Sequence, residues 1–416
     1  MINENIGSAK DNANSTIHNW YKFTAGFSYK FVNVIIDDQR AKPACIYEPF
    51  AGCGTTLVEA QKKEIRSIGN ESQQLMCDVI NAKLNWDIER KKCIDYFCII
   101  NDAVNDTNNR DEISRYYHPL LTTLFDSDSL KEIYLIRNAI REIPEERYRL
   151  FFNLALSQTL HKSALCPISV PYIVRSKHIV NSGHAYDKFI HIAYRMLDDL
   201  DTLTHHKRMA EVFQADSRKE NKNIEDDSCD LCITSPPYLN NLDYGEVSKV
   251  HTHFFELTKD WHDITEKVRH NLVTGATTHY RDCDFDLDAF RKSEFSYSNK
   301  QLMHELEKKY EELKHYSVER SGKKSFHILM MHYFEDMYHV LKEMRRVLAK
   351  GSPAYLILGN SAPYGVYIPT THFLGEIAES VGFGGYEIWK IRSRGQKWRI
   401  RTRHNVELSE NILVLK

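Results

Sequence analysis

Residues 44–86 alternate twice between a short apolar run and a helical pattern, and a glycine-bearing turn marks the first junction. Residues 44–48 read as a strand that enters Phe50-Ala51-Gly52-Cys53-Gly54. Thr55-Thr56-Leu57-Val58-Glu59-Ala60 then opens a helix, with a threonine as its N-cap. Residues 65–71 read as a second strand and 73–86 as a second helix. Strand, helix, strand, helix is the opening of a doubly wound parallel sheet, because parallel neighbours need a crossover that packs on the sheet face.

The alternation then breaks. Residues 88–205 carry helical apolar spacing, as in Leu150-Phe151-Phe152-Leu154-Leu156 and Phe189-Ile192-Met196-Leu197. Strand signals return at 210–215 and 229–234. A polar stretch rich in Tyr, His and charge follows, with an amphipathic helix through Leu302, Leu306, Tyr310 and Leu313. A long helix over 326–348 leads to a strand at 353–359, a helix at 373–381 and closing strands at 386–392 and 411–415. The expected fold class is α/β: one Rossmann-like core (1–87, 206–259 and 325–416) interrupted by a large helical insertion, 88–205, and a smaller one, 260–324.

No apolar run approaches the roughly 18 residues that span a bilayer, and the polar start is no signal peptide, which points to a cytosolic protein. Nine cysteines without regular spacing fit reduced thiols. Cys229-x-x-Cys232 has no second pair and reads as buried strand; no metal site is expected, and His205-His206 and His251-x-His253 read as surface or core. A net charge of −2 argues against a protein that coats nucleic acid by charge alone, but leaves room for a local basic face.

The turn at Gly52 and Gly54 lets backbone approach a ligand closely. It lacks the third glycine of the dinucleotide fingerprint and the lysine of a P-loop, so NAD and ATP fit poorly. Glu71 ends the second strand, where an acid can accept hydrogen bonds from a ribose. Asp216 follows the third core strand, within reach of a ribose or an adenine. Far downstream, the strand at 229–234 delivers Ser235-Pro236-Pro237-Tyr238 to a sheet edge. A hydroxyl, a carbonyl fixed between two prolines and an aromatic face are suited to gripping the amino group of a flat base. That amine is a weak nucleophile, because its lone pair is delocalised. Acceptors for its N–H groups favour a pyramidal nitrogen.

The two motifs together resemble the S-adenosylmethionine-dependent amino-methyltransferases that act on DNA bases. The resemblance covers about half the chain: Pro49-Phe50-Ala51-Gly52-Cys53-Gly54-Thr55-Thr56, Ser235-Pro236-Pro237-Tyr238, and Arg346-Val347-Leu348 leading to Leu358-Gly359-Asn360-Ser361. Trp20-Tyr21-Lys22-Phe23 to Phe27-Ser28-Tyr29-Lys30-Phe31-Val32 looks like the segment that closes over the methionine end of the cofactor. The resemblance implies S-adenosylmethionine as cofactor, with Phe23, Thr24, Glu48, Pro49, Phe50, Ala51, Gly52, Gly54, Thr55, Thr56, Glu71, Asp216 and Thr234 around it. It implies Ser235, Pro236, Pro237 and Tyr238 as the catalytic set. The family usually has Asp where Glu48 stands and Ser where Cys53 stands; Glu48 keeps the carboxylate for the methionine ammonium on a side chain one methylene longer. The cofactor loop precedes the Ser-Pro-Pro-Tyr motif, the reverse of many relatives, which reconnects the same sheet without moving the site.

Family members with Asp or Asn before Pro-Pro-Tyr mostly methylate adenine N6, and Ser there goes with cytosine N4. The resemblance thus implies N4-methylation of cytosine in double-stranded DNA, with the base flipped out of the helix. A separate restriction endonuclease is a further candidate partner. The alternatives are adenine N6, an RNA base amine such as tRNA guanine N2, and a non-catalytic nucleic-acid-binding subunit.

Lys390, Arg392 and Arg394 alternate before Gly395-Gln396, and Lys397, Arg399, Arg401 and Arg403 alternate after it. Read as a two-residue hairpin, this places all seven cations on one face, opposite Ile391, Trp398 and Ile400, as a phosphate-contacting surface. Sequence recognition is assigned to 88–205 first and 260–324 second, by size.

Overall fold

The computed structural model describes residues 9–23, 25–106, 113–168, 172–181, 183–205, 207–278, 285–318, 324–394, 402–403 and 405–416. Its centre is a seven-stranded sheet in the order β3-β2-β1-β4-β5-β7-β6. The strands are β1 (Cys45–Glu48), β2 (Arg66–Glu71), β3 (Ala210–Gln214), β4 (Leu231–Thr234), β5 (Ala354–Gly359), β6 (Tyr386–Arg394) and β7 (Leu408–Leu415). The first five run parallel, and β7 inserts antiparallel between β5 and β6. The α/β fold is therefore the one expected, mixed at one edge by a closing antiparallel pair.

Every residue of β1, β4 and β5 is buried, as in a parallel sheet covered on both faces. The helix Tyr29–Asp37 covers one face with Phe31, Val32, Ile35 and Ile36. The helix Phe326–Val347 covers the other with a row that includes Met330, Phe334, Met337 and Leu341. Between the helix Gln74–Leu84 and β3 lie the helices Arg90–Asn105, Ser127–Arg141, Glu146–Ser163 and Ala185–Asp201, which pack around Phe97, Phe152 and Phe189. In the later polar stretch, the helix Lys300–Val318 buries Leu302, Leu306, Tyr310 and Leu313. No helix among the described residues is long and apolar enough to cross a membrane.

One local expectation fails. The N-cap of the helix Thr55–Lys62 is Gly54, not a threonine; at φ +81° it needs no side-chain cap because the turn itself orients the first amides. The basic hairpin expected at 390–403 falls largely outside the described residues. β6 pairs with β7, and a bulge between Lys390 and Arg392 interrupts the alternation. The Arg403 amide bonds the Gly365 carbonyl, and its guanidinium lies over the Tyr316 ring. Residues 395–401, with Lys397, Arg399 and Arg401, and the side chain of Arg394 lie outside the described set, as does Thr24.

Candidate active site

β1 and β4 are adjacent parallel strands whose crossovers lead to opposite sides of the sheet, so a crevice opens at their carboxyl ends. A cleft of about 720 Å³ occupies it. Phe50, Ala51, Gly52 and Thr55 line it from the first turn, Glu71 from β2, Asp216 from beyond β3, and Ser235 and Pro237 from beyond β4. Pieces of chain 185 residues apart, such as Phe50 and Ser235, thus meet because four strands end side by side.

The first turn is built for close approach. Gly52 has φ +53°, and a Cβ there would come within 3.2 Å of the Phe23 ring. The N-terminal segment therefore rests directly on the glycine turn, with Ala25, Gly26 and Phe27 continuing the wall. Lys83, fully buried, donates from Nζ to the Cys53 carbonyl at 2.9 Å and anchors the turn from below.

Two buried carboxyls stand at the first turn: Glu71 lines the cleft, whereas Glu48, next to the lining residues Pro49 and Phe50, does not line it itself. Glu48 is 1 % exposed and accepts from the Phe50 amide at 3.1 Å and the Thr56 hydroxyl at 2.8 Å. Burial pushes its carboxyl up to about 8, and the bonds from Thr234, Thr56 and Phe50 only partly offset that. Glu71 accepts from the Gly52 and Gln73 amides, both at 2.9 Å. Burial likewise holds it up, to about 7. A carboxylate offers about four lone-pair sites, so each retains acceptor capacity. Cation-free and buried, Glu48 in particular is poised to ionise when a positive group arrives.

Asp216 differs. It lines the cleft, but Arg218 forks both its oxygens at 2.9 Å and Lys219 approaches at 3.2 Å. Burial raises its carboxyl, yet the arginine outweighs that and holds it below the usual range.

At β4 the Ser235 hydroxyl donates to the Ile357 carbonyl of β5 at 3.1 Å. Its one proton is committed to the sheet, which leaves its lone pairs as acceptors. The Pro236 carbonyl accepts no hydrogen bond among the described residues. The flanking carbonyls are fixed: Tyr333 donates to Pro237 at 3.0 Å, and Ser361 donates to Leu239 at 2.6 Å. Ser361 belongs to the Leu358-Gly359-Asn360-Ser361 motif, so that motif holds the loop that carries Ser235 to Tyr238. Half-buried Tyr238 lies off the cleft wall. Its hydroxyl donates to Glu410 at 3.0 Å, and Arg392 pairs with the other Glu410 oxygen at 2.6 Å.

Sequence reasoning missed one wall. Tyr244, Asn271, Leu272 and Val273 line the cleft. Two arginines bring them there. Arg269 pairs with Asp243 at 2.6 Å, and Asp243 caps the helix Tyr244–Phe254. Arg218 donates to the His270 carbonyl at 2.6 Å. The only local signal was the Asp243 cap itself.

No protein-family model matches the chain. Curated relatives do align along nearly all of it. Type II methyltransferase M.MvaI from Kocuria varians is 22% identical over 90% of this chain and 84% of its own length. M.AvaI from Nostoc sp. is 23% identical over 92% and 82%, and M.BsoBI from Geobacillus stearothermophilus is 20% identical over 94% and 84%. At this identity, and with this sheet and crevice, the chain is a distant homologue of type II methyltransferases.

Proposed function

We propose that this protein transfers a methyl group from S-adenosylmethionine to the N4 amine of cytosine in double-stranded DNA, as the modification partner of a restriction endonuclease. The observation that carries the reading is the Ser235 hydroxyl, whose proton is spent on Ile357 and whose lone pairs remain at the mouth of a cofactor-sized cleft. The relatives' printed names supply the methyltransferase class. Serine ahead of Pro-Pro-Tyr supports cytosine.

The residues fit the cofactor: Glu48 would receive the methionine ammonium, Gly52 would admit the methionine backbone beneath Phe23, and Glu71 would accept from the ribose hydroxyls. When bound, the cofactor supplies an already activated methyl group, so the protein's task is orientation. Ser235 and the Pro236 carbonyl accept the two amine N–H groups and turn the nitrogen lone pair toward the cleft. Glu410 holds the Tyr238 ring in place as a stacking face for the base. Glu410→Ala is expected to lower kcat about 10- to 100-fold, as loss of a hydrogen bond to a charged group does, while cofactor affinity stays unchanged. Equal losses in both would assign Glu410 to general folding.

Cofactor binding carries a pH signature. Below about pH 7 Glu48 is protonated and must release its proton to meet the ammonium. Above about pH 8 the ligand's own amino group, with a pKa near 8, must regain one. Affinity should therefore peak near pH 8 and fall about tenfold per pH unit on either side. Calorimetric titration from pH 6 to 9.5 measures this. Methylthioadenosine, which lacks the ammonium, should show neither limb except a shallow acid slope from Glu71. A flat profile for S-adenosylmethionine would remove Glu48 from the ammonium site.

The function itself is tested with purified protein, tritiated S-adenosylmethionine, and duplex DNA or tRNA. Label in duplex DNA is expected. Label in tRNA alone would replace the DNA reading by the RNA one.

A further inference from the structure

The cations read from the sequence as a nucleic-acid face are, where described, occupied. Lys390 pairs with Glu407 at 2.8 Å, Arg392 with Glu410 at 2.6 Å, and Arg403 donates to the Tyr364 carbonyl at 2.9 Å. A surface that must hold phosphates needs positive charge that is not already neutralised. Among the described residues such charge lies elsewhere.

Beside the cofactor cleft is a second open cavity of about 1280 Å³, and the two share Phe23 and Cys53 as a common wall. Three separate elements each bring a cation to it: Lys22 from the N-terminal segment, Lys162 from the helix Glu146–Ser163, and Arg195 from the helix Ala185–Asp201. All three are exposed, and none has a carboxylate partner among the described residues. Arg195 touches only the Gln158 amide oxygen, at 3.4 Å. Among the described residues no acidic side chain lines the cavity. Carboxylates on neighbouring elements are committed: Glu59 to His18 at 2.7 Å and Lys62 at 2.8 Å, Asp199 to the Trp20 indole at 2.8 Å, and Asp11 to Lys30 at 3.3 Å. On a chain whose net charge is −2, three cations without carboxylate partners, around a cavity that no described acid lines, are a local reversal of sign.

The floor is aromatic. His161 packs on His251 with ring centroids 4.9 Å apart, and Tyr21 meets His251 at 6.0 Å. Burial, then His251, Lys22 and Lys162, keeps His161 neutral. A cationic rim over an uncharged aromatic floor suits a nucleotide strand, with phosphates at the rim and sugar or base below. A small anion would leave most of the volume unused.

We infer that this cavity is the seat of the DNA strand next to the methylated base, with Lys22, Lys162 and Arg195 contacting its phosphodiesters. The inference rests on the DNA-methylating reading and adds the surface that delivers the strand. The shared Phe23–Cys53 wall gives it a geometric reason: a backbone held at the rim lies one side chain away from the cleft that receives the base. It also makes the helical segment 88–205 contribute two of the three cations, in keeping with a role in DNA engagement.

The test is the salt dependence of duplex binding by the full chain, in wild type and in K22Q/K162Q/R195Q. Each phosphate contact contributes about 0.9 to the slope of log K against log salt. The triple variant should lose about 2 to 3 from that slope and bind at least tenfold more weakly at 0.1 M salt; K162Q/R195Q, which leaves the N-terminal segment intact, should lose about 2 with S-adenosylmethionine affinity unchanged. K308Q/K309Q, which removes two cations from the outer helix Lys300–Val318, should keep the wild-type slope. Singly substituted R195Q, with a loss near 1, serves if the triple variant melts early. An unchanged slope in the triple variant, beside a wild type that methylates duplex DNA, overturns the inference and leaves the reading intact. A wild type that binds and methylates no duplex overturns the reading, and the inference falls with it.

Discussion

Glu48→Gln should cost S-adenosylmethionine about 100-fold in affinity at pH 7.5, and should at the same time make the unliganded protein more stable. The first effect follows from leaving an ammonium without its buried counter-charge, a loss of about 3 kcal/mol. The second follows from the sign of the Glu48 shift. Burial raises the folded carboxyl to about 8, above its unfolded value, so its contribution is intact below about pH 4.5 and is lost as pH rises toward 8. Glutamine has no charge to desolvate and escapes that loss. Its packing is tolerated, because the Thr56 hydroxyl also reaches the Ile233 carbonyl at 3.3 Å and can turn its lone pair to the new amide. Melting curves of the two proteins should therefore coincide near pH 4.5 and diverge by several degrees at pH 8, with the variant higher. A variant that melts lower at pH 8 would mean that Glu48 is a structural anchor, and its binding defect could not be read as a lost ammonium contact.

Ser235→Ala should lower kcat about 100-fold or more, in the range seen when one preorganised hydrogen-bonding group is removed from a reacting centre. Cofactor affinity should barely change, because the hydroxyl faces the incoming amine while the carboxylates hold the cofactor. The stability cost should be about 1 kcal/mol, for one bond to the Ile357 carbonyl. Ser235→Thr keeps both the donor and the lone pairs and should recover much of the rate. Alanine and threonine variants of equal activity would show that the hydroxyl does not touch the reacting nitrogen.

What could be read from the sequence was what depends on neighbours along the chain. β1, its glycine turn and the helix after it occupy one continuous stretch, and the turn's geometry needs glycine at 52 and 54 whatever else the protein does. Glu71 and Ser235 were visible because each stands at the end of a strand, and parallel strand ends converge on a crevice. The lost pieces depend on partners far away. Leu272 and Val273 reach the cleft only because Arg218 and Arg269 pull their segment in. Lys390 and Arg392 read as unpaired in the sequence because their acids, Glu407 and Glu410, lie on the approach to β7 or within it. Lys22, Lys162 and Arg195 form no pattern at all, since each stands alone in its own segment. Charge clusters assembled by tertiary structure leave no trace in local spacing.

The measurement closest to the central claim is nucleoside mass spectrometry of DNA from methylation-free cells that express this protein, beside cells that express Ser235→Ala. The account predicts N4-methylcytosine with the wild type and none with the variant. N6-methyladenine would retain the chemistry at Ser235 and replace the base. DNA with no methylated base, from cells in which the protein is folded and binds S-adenosylmethionine, would contradict the claim.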